Sequence, residues 1–515
     1  MYKNLLSVGG MTLLSRATGF LRDVMLAQVV GAGLLADAFV VAFRLPNHFR
    51  AIFGEGAFNA AYVPSYARIL EKQGPAQSRD FASRIFSLLL LSQIVLLVLA
   101  WLFMPVLVDL LAPGFRENPV KFHASVVMTR ITFPYLLFIT LVTLQSGTLN
   151  AHGKFAAAAF APVLLNLAMM LCLALSAFFP NAGIAAACGV TLSGILQFGL
   201  TFAALRRDGI HERLRRDFWT PDVKRFFAVL GPAVIGSAGI QIALFADTII
   251  GSLLPTGGPS SIYYADRIYQ LPLGVIGIAA GTVLLPEMSR RLAAGDTDAA
   301  HHVQNRTMAL SLALTAPFFI AFIMIPEVIM RGVFLHGAFS PEAAVAAAQV
   351  LTAYGFGLVA VVLVRAVVPS FQAIGDTASP MWISLIAVAV NVLLKIVLFK
   401  PMGAAGLAAA TAVGAWLNLI LLFVLAVRRG LMRPDELFAK TAACVSIAGF
   451  ALAIFAALCD WPALQLARKI GVFRYELQLL MLGIGGALVY VLVLAGGLHV
   501  AGVRLRALLR RGAKP

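Results

Sequence analysis

Ser15–Asp23 reads SRATGFLRD and sets two arginines and an aspartate inside an apolar run that continues to about Val30. The rest of the chain makes that run a membrane segment. Of the 515 residues, 60% are hydrophobic and 12% charged, with a mean hydropathy of +0.90. Soluble proteins carry roughly 25% charged residues. Apolar runs of about 20 residues, the length that spans a hydrocarbon core, recur from end to end. They are far longer than barrel strands of about 10 residues, so the spans are helices. No small-residue cleavage site follows the first run, which reads as a retained span and not a removed signal peptide.

Hydropathy places about fourteen spans, centred near residues 17, 42, 96, 137, 168, 195, 242, 276, 318, 358, 388, 416, 448 and 486. With the N-terminus in the cytoplasm, cytoplasmic segments hold about 25 basic residues and the opposite loops about 7. The richest loop contains Arg206–Asp217, RRDGIHERLRRD, and the chain ends RLRALLRRGAKP. Both termini are therefore expected in the cytoplasm. Most of the +17 net charge is explained by this asymmetry, and no nucleic-acid partner is needed. Cys172, Cys188, Cys444 and Cys459 sit in apolar segments without a C-x-x-C pair and read as packing residues. No metal motif and no cofactor are expected.

The chain also repeats itself. GIAAA at Gly183–Ala187 returns as GLAAA at Gly406–Ala410, LNAHGK at Leu149–Lys154 as FQAIGD at Phe371–Asp376, and RLPN at Arg44–Asn47 as QLPL at Gln270–Leu273. The offsets agree within a few residues and the matches keep chain order. The expected fold is an all-α polytopic membrane protein: two six-helix lobes related by a pseudo-twofold axis along the membrane normal, plus two C-terminal helices. The boundaries read as an N-terminal lobe at 1–206, a basic loop at 207–224, a C-terminal lobe at 225–430, and two last helices with a basic tail at 431–515. That architecture belongs to transporters, with the substrate between the halves.

Several charges remain inside the spans. The basic ones are Arg16, Arg22, Arg44, Arg50, Arg130, Arg267, Arg365 and Lys395; the acidic ones are Asp23, Asp37, Glu55, Asp247 and Asp266. A charge at mid-bilayer costs at least about 2.5 kcal/mol, so these residues face a partner or a wet cavity. Snorkelling and internal pairing compete as explanations, chiefly for Arg44, Arg50 and Arg130. The cation excess leaves arginines over, and Arg is suited to bidentate capture of phosphate or carboxylate. Arg16, Gly19 and Asp23 share a helix face, with Arg22 about 120° away. A bend at Thr18-Gly19 would bring Arg22 to the same cavity. Pro46, between Arg44 and Arg50, is expected to break the second span. A second constellation holds Asp247, Asn391, Lys395 and Thr411. It reads as an Asp247–Lys395 pair or as a site for a proton or small cation.

These segments resemble the MurJ (MviN) family of lipid II flippases, in the MOP transporter superfamily. The resemblance runs over nearly the whole chain. Its carriers are SRATGFLRD, ADAFVVAFRLPNHFRAIFGEGAF from Ala36, LAPGF from Leu111, and YYADRIYQLPLGVIGIAAGTVLLP from Tyr263. It implies a carrier, not an enzyme, that moves undecaprenyl-diphosphate-linked muropeptide from the cytoplasmic to the periplasmic leaflet of the bacterial inner membrane. Two lobes would enclose a cationic cavity, and the last two helices would form a groove for the lipid tail. Membrane lipids and the cell-wall synthesis machinery would be its partners. The family's functional arginines fall on Arg16, Arg22, Arg50 and Arg267, and its acidic partners on Asp23 and Asp37. Arg44, Arg130, Arg365, Asp266 and Gln270 are secondary candidates. Gln270 stands where some relatives carry a glutamate, and Lys395 argues against the sodium site proposed for some relatives.

Two alternatives stand beside this reading. One is another exporter of the superfamily, for drugs or other lipid-linked oligosaccharides; a drug-cation exporter would show a more acidic or aromatic cavity than this net basic one. A membrane enzyme acting on polyprenyl phosphates would need acidic metal ligands or a His/Arg phosphatase set. ATP-driven transport lacks its motif: GTLNAHGKF, Gly147–Phe155, has the wrong glycine spacing and Phe after Lys for a P-loop.

Overall fold

The computed structural model describes residues 2–53, 57–470 and 473–503, and all regular structure among them is helical. The chain divides into two compact units, Met1–Ser260 with His336–Phe339, and Ser261–Leu335 with Ser340–Pro515. In the first run α1 (Tyr2–Val30), α2 (Leu34–Phe53), α3 (Ala57–Gln73), α4 (Pro75–Leu102), α5 (Met104–Leu111), α6 (Pro119–Thr132), α7 (Pro134–Ala151), α8 (Ala156–Ala174), α9 (Ala182–Arg207) and α10 (Pro221–Ser252). There follow α11 (Gly258–Pro272), a π-turn at Leu273–Gly277, α12 (Ile278–Ala293), α13 (Thr297–Met324), α14 (Pro326–Phe334) and α15 (Pro341–Gln372). The chain continues through α16 (Ala378–Arg428), α17 (Glu436–Ile470) and α18 (Arg474–Val500). Every span centre read from hydropathy falls in one of these elements. Among the described residues, nine helical stretches are long and apolar enough to cross a membrane.

In the first unit the main pairings are α8 with α9 and α1, α7 with α9, and α2 with α6. The repeat reading counts α10 with the second half, yet it packs on α3 and α2. An aromatic cluster explains why: Phe226 of α10 meets Phe58 and Phe81 edge-on at 5.7 and 6.1 Å. In the second unit α15 packs on α16 and α13, and α13 on α17, which pairs with α18. The apolar window of α15 is 61% buried and that of α18 only 17%. Exposed Leu488, Val491 and Leu492 on α18 fit a lipid-facing surface.

Prolines run through these helices without ending them. A proline has no N–H, so the carbonyl four residues earlier loses its partner. In hydrocarbon that orphan must be satisfied. Pro46 sits inside α2, which continues to Phe53; the expected break does not occur. The freed Ala42 carbonyl accepts from Thr132 Oγ1 at 2.7 Å instead. Pro134 instead opens α7 just after α6 ends, and the Arg130 carbonyl it leaves free accepts from Trp101 Nε1 at 3.0 Å. Pro317 in α13 frees the Ala313 carbonyl, which accepts from the Tyr490 hydroxyl at 2.7 Å. In each case a neighbouring helix supplies the donor.

α16 covers two of the expected spans. Gly403 has φ 56° and ψ −135° inside it, a conformation open to glycine and strained for other residues. On either side the chain folds back on itself. A Cβ at Gly406 would lie 2.4 Å from the Leu398 carbonyl oxygen, and one at Gly414 would lie 2.9 Å from Asn391 Cβ. The element is an antiparallel hairpin whose halves touch through glycines.

Candidate functional site

α1 is one helix from Tyr2 to Val30, and the bend expected at Thr18-Gly19 does not interrupt it. Arg22 finds its partners without such a break. Arg22 and Asp23 are 6% and 2% exposed. Nε and Nη2 of Arg22 donate to Asp23 Oδ1 at 3.1 and 2.7 Å, and Nη1 donates to Asn166 Oδ1 at 3.0 Å. The amide nitrogen of Asn166 donates to the Ser15 carbonyl and to Thr18 Oγ1, both at 3.0 Å. Gly19 faces this side chain: a Cβ there would stand 3.4 Å from Asn166 Nδ2. The glycine thus admits α8 to the polar stripe of α1. Phe43 lies 5.9 Å from the guanidinium carbon and closes the apolar side. The arrangement orients a guanidinium in an apolar surround and neutralises it with an adjacent carboxylate.

Asn166 escaped the sequence reading, although α8 gives a signal. It is the one polar residue in AAAAFAPVLLNLAMMLCLA, and a polar residue in so apolar a helix needs a partner.

Asp37, on α2, is fully buried and is not placed against an arginine. Its Oδ2 takes an ion pair from Lys121 Nζ at 2.7 Å and a hydrogen bond from the Gly257 amide at 2.8 Å. Its Oδ1 accepts from the Ser260 amide at 2.9 Å, where α11 begins. Lys121 is 3% exposed and lies 4.1 Å from the centre of the Phe115 ring. Lys121 is not among the in-span charges singled out in the sequence, and the structure adds it as the partner of Asp37. Nearby, the Ala338 amide donates to the Gln28 carbonyl at 2.8 Å, tying the 336–339 segment to the end of α1.

The remaining candidates scatter. Arg16 and Arg130 are exposed and Arg44 half-buried. The side chain of Arg50 lies outside the described residues, as do Gly54, Glu55 and Gly56. In the second unit Arg267 covers the Tyr263 ring at 4.7 Å, one turn earlier on α11. Gln270 donates to Asp266, also one turn earlier. Arg365 of α15 packs on the π-turn, where a Cβ at Gly277 would lie 2.9 Å from its Cδ. Tyr269 stacks on Tyr354 at 5.1 Å in the same region. Arg267, Asp266, Gln270 and Arg365 therefore line one stretch of α11, the π-turn and α15.

Of the second constellation, Asp247 lies on α10 in the first unit, and Asn391, Lys395 and Thr411 lie on α16 in the second. The hairpin register sets Lys395 level with Ala409 and Ala410, just short of Thr411. Lys395 is buried, and the Thr411 hydroxyl donates to its own helix at Leu407. Among the described residues no group of acidic, His and Cys side chains is arranged to hold a metal ion.

Residues 26–468 match the family described as Lipid II flippase MurJ. A probable lipid II flippase MurJ of Rhizobium meliloti (strain 1021) is 39% identical over 520 residues, covering 100% of this chain and 97% of the relative. A lipid II flippase MurJ of Burkholderia cenocepacia is 33% identical, covering 90% of each chain. Among solved structures, a lipid II flippase MurJ in an inward closed conformation superposes with TM-score 0.78 at 23% identity, covering 96% of this chain and 99% of that one. An inward-facing multidrug-resistance MATE transporter of the MOP superfamily gives 0.64 at 16% identity, covering 81% and 95%. These two likenesses concern the fold. On the family match, and on relatives this similar along nearly their whole length, the chain belongs to the lipid II flippase MurJ family.

Proposed function

We propose that this chain carries lipid II, the undecaprenyl-diphosphate-linked muropeptide, from the cytoplasmic to the periplasmic leaflet of the bacterial inner membrane. Both termini face the cytoplasm in this reading, in keeping with the distribution of basic residues. Family membership supports the substrate. The observation that carries the mechanism is the buried Arg22, whose guanidinium is oriented by Asp23 and Asn166 in an otherwise apolar helix pair. A single fixed cation neutralised by its neighbour is a grip at rest. A diphosphate brings more negative charge than one carboxylate and competes for the guanidinium. Asp23 then recaptures Arg22 as the head group leaves. Arg16, Arg50 and Arg267 complete the anion-binding set, and the isoprenoid tail stays in lipid. Alternate opening of the cavity to the two sides moves the head group across.

Asp37 has another part. Its charge is already met by Lys121 and two backbone amides, so it anchors helices and does not compete for phosphate.

The test is depletion of the protein in cells while lipid II accessibility to a periplasmic probe is read. Accessibility is expected to collapse, to return with the wild-type chain, and to stay low with Arg22→Ala at equal membrane abundance. Normal accessibility after depletion, with no other flippase present, overturns the assignment. Full flipping by Arg22→Ala overturns the grip alone.

A further inference from the structure

The loop between α9 and α10 carries a buried carboxyl that the transport reading does not use. Residues 208–220 lack helix, yet they are seated firmly. The amides of Arg213 and Arg215 donate to Ser83 Oγ at 3.1 Å and Ser87 Oγ at 2.8 Å, one turn apart on α4. Arg84 of α4 pairs with Asp217 at 2.8 Å, and Arg215 with Asp80 at 2.8 Å. Between these ties Glu212 turns inward. The residue as a whole is half-buried, but its Oε1 is closed off from solvent and has no hydrogen-bond partner. Its Oε2 accepts from Gln145 Nε2 of α7 at 3.0 Å, and Gln145 in turn accepts from Thr201 of α9 at 2.5 Å. No cation pairs with it among the described residues.

An ionised carboxylate with one neutral donor and an unmet oxygen is poorly held in such a place. The neutral acid fits better. Burial accordingly pushes the Glu212 carboxyl up to about 7, against the opposing pull of the Gln145 hydrogen bond. We propose that Glu212 is a proton-binding site that latches the 208–220 loop onto α4 and α7, seated when protonated and loosened when ionised. In the orientation proposed above, the loop faces the cytoplasm, so the latch senses cytoplasmic pH.

The sign follows from linkage. The proton is bound more tightly with the loop seated than with it free, where the carboxyl has its ordinary value near 4.5. Seating is therefore strongest below that value and weakens as pH rises to about 7, where it levels off. Other charged or titratable groups surround the site: Tyr62 and Tyr66 on α3, Arg79, Asp80 and Arg84 on α4, and His152 and Lys154 just past α7, the last paired with Asp208. His211, Arg213 and Asp217 belong to the loop itself. α9 contributes Gln197 and Thr201, which do not titrate. His152 and His211 are the imidazole side chains among these neighbours.

Hydrogen exchange by mass spectrometry on the full chain in nanodiscs tests the proposal, with rates normalised to the intrinsic rate at each pH. Protection of peptides spanning Arg213 and Arg215 is expected to fall up to tenfold per unit between about pH 5 and 7, then level. Glu212→Gln, a neutral isostere, is expected to keep the loop protected throughout, and His152→Gln and His211→Gln to retain the wild-type profile. Wild-type protection that does not change with pH overturns the proposal, and so does a profile abolished by either histidine variant. The readout involves no substrate, so its failure leaves the transport reading untouched.

Discussion

A single asparagine settles what two arginines in a membrane helix leave open. Asn166 accepts from Arg22 and donates to α1 at Ser15 and Thr18, so it fixes both the guanidinium and the helix pairing. Asn166→Ala is expected to lower the unfolding midpoint in detergent, by the roughly 1.5–3 kcal/mol of a buried bond to a charged group. Transport should fall as well, although Arg22 remains. Unchanged stability with unchanged flipping would remove Asn166 from the site. Lys121 and Asp37 make a sharper case. Lys121→Met strands a buried carboxylate and is expected to cost about 3–5 kcal/mol. Adding Asp37→Asn should recover most of the loss, and a double-mutant cycle on thermal stability measures it. Charges in apolar runs were legible in the sequence, but the helix-face reading set Asp23 with Arg16 and left Arg22 about 120° away, whereas Arg22 and Asp23 pair directly. The other partners were not legible, because Asn166 and Lys121 reach their sites through packing between helices far apart in sequence.

At the scale of the element, proline marks a carbonyl that some other helix must satisfy. Every hydropathy centre fell in a helical element, although shorter helices such as α3, α5 and α14 carried none; the rule that proline breaks a helix failed at Pro46. Hydrocarbon leaves the freed carbonyl no water to turn to, so a neighbouring donor preserves the helix. Tyr490→Phe is expected to destabilise the α13–α18 contact by about 0.5–1.5 kcal/mol, since the Ala313 carbonyl loses its donor. In a Pro317→Ala background residue 317 regains an N–H and takes that carbonyl back. The Tyr490→Phe effect should then shrink toward zero, as read by chemical unfolding of the two singles and the double. Equal effects in both backgrounds would separate the tyrosine from the proline.

For the whole molecule, the internal repeat assigns α10 to the second half, while side-chain packing draws it into the first compact unit. No periodicity announces such a boundary; it rests on Phe226 meeting aromatic residues of α3 and α4. The lipid-facing surface, by contrast, was legible as plain hydropathy. Leu492, 69% exposed on α18, becomes a probe of it. Leu492→Asp is expected to reduce membrane insertion by about 2.5–3.5 kcal/mol on an insertion scale, measured by a glycosylation-site reporter. Negligible loss would mean that this position is shielded from lipid. The hairpin at Gly403 reaches further, into biosynthesis. A straight α16 of 51 residues would measure about 75 Å, more than twice the hydrocarbon thickness. In the orientation proposed above, the two halves enter the bilayer as a hairpin with Lys400–Gly403 as its translocated tip. Failure of that turn would not merely loosen a contact. It would invert the topology of every helix made afterwards.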